Sequence, residues 1–404
     1  MNRFSIKRAF LKTSLLCGLV ILLTACTGGN GNNNNTNGNG NTPPSTQATQ
    51  SATAGGAGGV TTTPGISLGP QPCPDTVKAP AHWDPLIPTQ ANVSKVESVT
   101  CGYLKGVPRL QALIMVRYDG TGGILDVYVY DDLDGATPTQ IFKLQNLYKG
   151  DAKISNYNTL LTSEVDMDSS VNAGQANVGF TRDLAREFKW SDGANTLVQI
   201  AFPGMFPDIT RYQAEADQEQ VNQGHQPWKL SATLTAQALG ANLLHWNPNA
   251  PASILSGGGQ HDLQAVVSLK NNAPGSGTIK ITMSRLEGNT NGGIWVVTDV
   301  STDNMSITQP QSASTLNAPV TVTGTGNAFE GVIGTATILD HLYTDLGHAS
   351  VHGAVGNGHT TFSTSVGYHP TFHNGAEEGL VMVAAENNAS GGIGAAVIVK
   401  VLIH

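Results

Sequence analysis

The chain has 404 residues, 39% of them hydrophobic and only 12% charged, with a formal net charge of −8 at neutral pH. Charged residues are at about half their usual share, so Thr, Ser, Asn and Gly carry the polarity instead. A mildly acidic surface without a basic run argues against nucleic acid and anionic lipid as partners.

In chain order, residues 1–25 read as a targeting segment. Arg3, Lys7, Arg8 and Lys12 form a basic start, and an apolar run follows from Leu15 to Leu23. The run falls short of the roughly 20 apolar residues a spanning helix needs, and it fits the core of a secretory signal. It closes on Leu23, Thr24, Ala25 and Cys26, which resemble the bacterial lipobox. That resemblance implies cleavage before Cys26, lipidation of its thiol and an extracytoplasmic body held on the membrane by its lipid. Residues 26–72 have almost no charge and no apolar periodicity, which predicts a disordered Gly/Asn/Thr tether with an r.m.s. span of roughly 35–40 Å. Cys73 and Cys101 then remain as an even pair in an oxidising compartment, so a disulfide between them is expected. It would close a loop of about 28 residues and contribute roughly 3 kcal/mol.

Beyond the tether the chain reads as multidomain and mainly β. Residues 73–206 form a β-rich segment: "RLQALIMVRY" and "GILDVYVYDD" are β-branched and aromatic runs joined by "DGTGG". This hairpin and the strand order resemble the LppP/LprE lipoprotein family. Residues 207–309 read as a small α+β unit, two helices packed on an antiparallel sheet. Asp208 is the expected N-cap of the first helix, and Leu230, Leu234, Ala238 and Ala241 the buried stripe of the second. Residues 316–404 return to strands. Pro319 to Val322, Gly324, Phe329, Glu330, Gly331 and the closing "AAENNASGGIGAAVIVKV" resemble the bacterial spore-germination immunoglobulin-like domain. The resemblance implies a C-terminal immunoglobulin-like β-sandwich and carries no catalytic residues.

Six of the 11 histidines fall between His341 and His373, and histidine is the commonest metal ligand. Strand parity sets His348, His352 and His369 opposite the apolar face of Ala349, Val351, Phe362 and Val366. His348 and His352 stand about 13 Å apart along one strand and cannot chelate one ion together. A joint metal site would need His359 or His373 to close on them, so His348, His352, His359 and His373 are the weak candidates, and no metal is expected.

The remaining chemistry is sparse. Glu215 and Glu219, with Asp208 and Asp217 nearby, could supply a carboxylate pair for glycoside hydrolysis, but they lie on a strongly polar helix. "DDLDG" and "EVDMDSS" have the look of calcium loops, yet Val171 and Asn177 stand where an EF-hand needs Gly and Glu. No zinc-protease motif occurs, and no cofactor is implied. The expected function is a non-catalytic, lipid-anchored surface protein whose β-rich modules bind or scaffold an envelope protein or glycan. The alternative is a surface hydrolase with its site in the central α+β unit or between domains.

Overall fold

The computed structural model describes residues 66–404 apart from 90, 91, 136, 289–291, 355, 357 and 388–390. The expected signal segment, Cys26 and nearly all of the tether lie outside the described residues.

A four-residue helix, α1 (Asp75–Lys78), leads into a four-stranded antiparallel meander, β1 (Ser94–Gly102), β2 (Gln111–Tyr118), β3 (Leu125–Asp131) and β4 (Thr139–Leu147). β3 is buried along its whole length, because both of its faces are covered. Tyr128 and Tyr130 point with Ile114 toward Val77, Trp83 and Ile87 of the preceding segment. Leu125, Val127 and Val129 point the other way, onto Ile154, Leu160, Phe188 and Leu197. Those residues belong to a second meander, β5 (Asp151–Ile154), β6 (Leu160–Glu164), β7 (Leu184–Ser191) and β8 (Thr196–Ile200). Cys73 and Cys101 are bonded, with 5.1 Å between their Cα atoms, and fasten the segment ahead of α1 to β1.

Two twelve-residue helices follow, α2 (Arg211–Asn222) and α3 (Ala232–Leu243). The cap of α2 is Thr210 rather than Asp208: its side chain accepts from Gln213 N–H while the Gln213 side chain accepts from Thr210 N–H. Asp208 is buried two residues earlier, where an ion pair holds it. The stripe expected on α3 is also displaced. Leu230 precedes the helix and Leu234 is 47% exposed, while Ala232, Ala236, Leu239, Gly240 and Leu243 face the core. The small residues win because they allow close approach to a sheet; a Cβ on Gly240 would sit 2.7 Å from Leu269 Cδ2. α3 packs on that sheet, against its strands Ala252–Gly257, Gln264–Lys270 and Val296–Ser301. α2 lies against β6 and β7 and shares Ala214 and Val221 with Phe202, Ile294 and Val296.

The rest is strand. β9 (Ala252–Gly257), β10 (Gln264–Lys270), β11 (Thr278–Ser284) and β12 (Val296–Ser301) are antiparallel neighbours. β13 (Met305–Gln309), β14 (Ser314–Leu316), β15 (Val320–Ala328), β16 (Val332–Leu339), β17 (Asp345–His352), β18 (Gly358–Val366), β19 (Glu377–Glu386) and β20 (Ile393–Ile403) complete the chain. One long sheet runs β17-β16-β19-β20-β12-β11-β10-β9, with β14 added parallel to β20. It crosses the 309/316 linker through β12 and β20, which meet at Val300 and Ile398. One of its faces carries α3, Trp246 and Trp295. On the other, β13-β15-β18 form a three-stranded sheet whose Val322, Phe362 and Val366 pack on Ile338, Val381 and Val401. The described residues are therefore mainly β, built largely of antiparallel sheets with three α-helices. Among the described residues no helix is long and apolar enough to cross a membrane.

Candidate functional site

The long sheet, the second meander and α2 meet along a seam that buries an unusual number of charges. Its cations are Arg186, Arg211, Lys229, His341 and Lys400; its carboxylates include Glu164, Glu187, Asp208, Glu287, Glu377 and Glu378. A charge in a protein interior is tolerated only when paired and hydrogen-bonded, and the partners come from elements far apart in sequence. Arg211 of α2 reaches Glu187 of β7 at 2.8 Å and Glu287 at 2.6 Å, with Tyr157 and Phe202 rings 4.3 and 5.0 Å from its guanidinium. Arg186 pairs with Glu164 on the neighbouring strand and donates to the Asn374 carbonyl. Lys400, in the apolar run of β20, lies 3.2 Å from Glu378 and donates to the carbonyls of Gly204 and Ile209. Burial pushes the Glu378 carboxyl up to about 7 and the Glu287 carboxyl up to about 8.

Two cavities open on this seam. The larger, about 590 Å³, is lined by Asp183, Asp208, Tyr212, Asp217, Lys229 and Leu342 among others. Lys229 stands between the two carboxylates, 3.1 Å from Asp208 and in contact with Asp217. Burial, followed by the neighbouring Asp217, drives the Asp208 carboxyl upward; burial opposes but Asp208 and Lys229 pull Asp217 downward. Opposed shifts in two adjacent carboxyls are the arrangement of an acid and a base, although here an ammonium neutralises the pair. The smaller cavity, about 430 Å³, is lined by Lys153, Glu215, Gln218, Glu219 and Glu287. Glu215 is tied to Lys153 at 2.7 Å and accepts from Asn156 N–H, so the Glu215/Glu219 pair is divided between an ion pair and solvent.

The histidine stretch separates into two kinds. His348, His352, His359, His369 and His373 are exposed. His348 meets Asp345 at 2.7 Å, His359 meets Asn327 at 3.1 Å, and His373 lies 3.9 Å from Asp168. His341, at the head of the stretch, is 2% exposed. Its Nδ1 lies 2.5 Å from Glu377 Oε2 and its Nε2 lies 3.4 Å from Asp183 Oδ2. Burial disfavours the imidazolium, but the carboxylates on both sides outweigh it and raise the His341 pKa to about 10. Among the described residues, ligand atoms of Asp166, His341 and Glu377 converge within 4.8 Å of one another. This cluster is absent from the sequence reading, which weighed only the later histidines. Of the two suspected calcium loops, "EVDMDSS" contributes Asp166 to it, whereas Asp131 of "DDLDG" is taken by Lys105 and Arg109.

Compared with known proteins, the chain matches no protein-family model and no curated protein.

Proposed function

We propose that the protein is a lipid-anchored, extracytoplasmic display module of a bacterial envelope that binds another envelope component. What supports the anchor is the order of features in the sequence: basic start, short apolar core, "LLTAC" with Cys26, then an uncharged tether. The Cys73–Cys101 disulfide accords with an oxidising compartment. The likeness of residues 316–403 to the spore-germination immunoglobulin-like domain belongs to the same reading.

The observation that carries binding over catalysis is the free end of the long sheet. β9 is its last strand and pairs only with β10 among the described residues. Ala252 to Gly257 holds no charge and no proline, the usual guards of an edge, and Ile254 and Leu255 are 47% and 54% exposed. Such an edge accepts an extended segment of a partner, with the backbone supplying affinity and alternate side chains specificity. Capture from solubilised envelope by the intact lipidated chain tests this: Ile254→Lys with Leu255→Lys abolishes recovery of the partner, and undiminished recovery refutes the edge. Cys26→Ala releases the protein from the membrane fraction; continued membrane retention refutes the anchor.

The hydrolase alternative has one observation in its favour, the Asp208–Asp217 pair at the larger cavity. Lys229 holds both carboxyls.

A further inference from the structure

Four carboxyls surround one imidazole in the interior of the seam, and they come from two loops and a strand. Asp166 follows β6, Asp183 precedes β7, Asp340 and His341 follow β16, and Glu377 opens β19. Each residue is buried except the partly exposed Asp183, whose side chain is 3% exposed. The imidazole of His341 stands between Asp183 and Glu377, with Asp166 beside it. The guanidinium of Arg186, on β7, is committed to Glu164. A buried surplus of negative charge calls either for protons or for a cation.

Two oxygens mark where the shortfall lies. Among the described residues Glu377 Oε1 and Asp340 Oδ2 have no hydrogen-bond partner, and both residues are 0% exposed. The rest of the cluster is firmly held. Asp340 Oδ1 accepts from Leu342 and Thr344 N–H at 2.8 and 2.7 Å and fixes the turn that carries His341. Asp166 accepts from Asp168 N–H at 3.0 Å and from the Thr371 hydroxyl at 2.5 Å. Asp183 Oδ1 accepts from Asp166 N–H and Asn172 at 3.0 Å each.

We infer that Asp166, His341 and Glu377 form a binding site for a divalent first-row transition metal. Imidazole nitrogen together with carboxylate oxygen suits zinc, manganese or ferrous iron, whereas calcium takes oxygen alone. His341 has a carboxylate at each ring nitrogen, so one side can face the metal while the other orients the ring. Ligands at about 2.1 Å from a tetrahedral ion stand roughly 3.4 Å apart. Glu377 Oε2, 2.5 Å from His341 Nδ1, must withdraw to reach that spacing, while Asp183 Oδ2, 3.4 Å from Nε2, orients the ring. Asp183 and Leu342 also line the 590 Å³ cavity, which gives the ion a route to the cluster. The ion would join the loop after β6 to the β16–β17 turn and to β19.

The test uses the tag-free full chain, stripped with chelator and titrated with zinc. Native mass spectrometry is expected to show about one zinc per chain, and zinc to raise the unfolding temperature. Glu377→Gln and Asp166→Asn are expected to weaken binding by about 10–100-fold. Replacing His348, His352, His359, His369 and His373 together leaves it unchanged. X-ray absorption at the zinc edge of the wild-type protein is expected to show one imidazole among oxygen ligands, and it decides the matter even where a variant fails to fold. Absence of saturable binding overturns the inference, as does a shell with two or more imidazoles or loss of zinc with the surface histidines.

Discussion

Asp131 offers the most direct check on how this molecule treats a buried carboxylate. It closes β3 with 4% of its surface exposed, and it accepts from Lys105 at 2.9 Å, Arg109 at 2.7 Å and Gln111 at 3.0 Å. Burial would raise its pKa, but the hydrogen bonds from Lys105 and Gln111 outweigh it and lower the carboxyl to about 2 from 3.8. At 1.36 kcal/mol per pH unit the displacement is worth about 2 kcal/mol, an upper figure because Arg109 is half exposed and water screens it. The folded pKa is depressed, so this contribution is fully present above pH 3.8 and is lost as pH falls through 2. Asp131→Asn keeps the shape and removes the charge. In urea unfolding followed by tryptophan fluorescence, the wild-type advantage over the variant is expected to narrow by about 2 kcal/mol between pH 6 and pH 2. A gap that stays constant with pH would refute the assignment of this carboxylate to its cationic partners and reopen "DDLDG" as a calcium loop.

Two further outcomes follow from the packing. Arg211→Met strands Glu187 and Glu287 in the seam, and loss of one member of a buried ion network is expected to cost about 3–5 kcal/mol by denaturant titration; a cost under about 1 kcal/mol would mean that water reaches these groups. Gly324→Ala places a Cβ 1.9 Å from the Ser306 carbonyl and 2.7 Å from the Phe362 ring, so β15 must shift between β13 and β18. The expected loss is about 1–3 kcal/mol, and a variant as stable as wild type would contradict the register of that sheet.

How far the sequence carried depended on the reach of each signal. The hairpin "RYDGTGGILDVYVYD" is local, and β2 and β3 pair there with Arg117 opposite Leu125. The side preference of His348 and His352 needs only period two along β17, and the cysteine pairing needs only compartment chemistry. The stripe on α3 failed because periodicity was weighted toward leucine, while close contact with the sheet selects Ala and Gly. His341 was missed because Asp166 and Asp183 precede it by more than 150 residues, and no periodicity spans that distance. A sign was nevertheless present. Asp340 and His341 follow directly on the apolar "TATIL", Glu377 and Glu378 open an apolar strand, and Lys400 interrupts "AAVIVKVLI". Ionisable groups embedded in apolar runs have no solvent to face, which implies buried partners even when the partners cannot be named.

The route of the long sheet also bears on how this chain can be divided. Lys400, four residues from the end, donates to the carbonyls of Gly204 and Ile209, and β20 borders β12. Removing residues 316–404 would therefore strip a donor from two buried carbonyls and bare the side of β12 in the remaining body. Any loss of binding on truncation would then mix a missing module with a damaged neighbour. Exchange of this segment between proteins would require a host that supplies a matching strand edge and two waiting carbonyls, so the last 89 residues behave as a keyed part rather than a detachable bead.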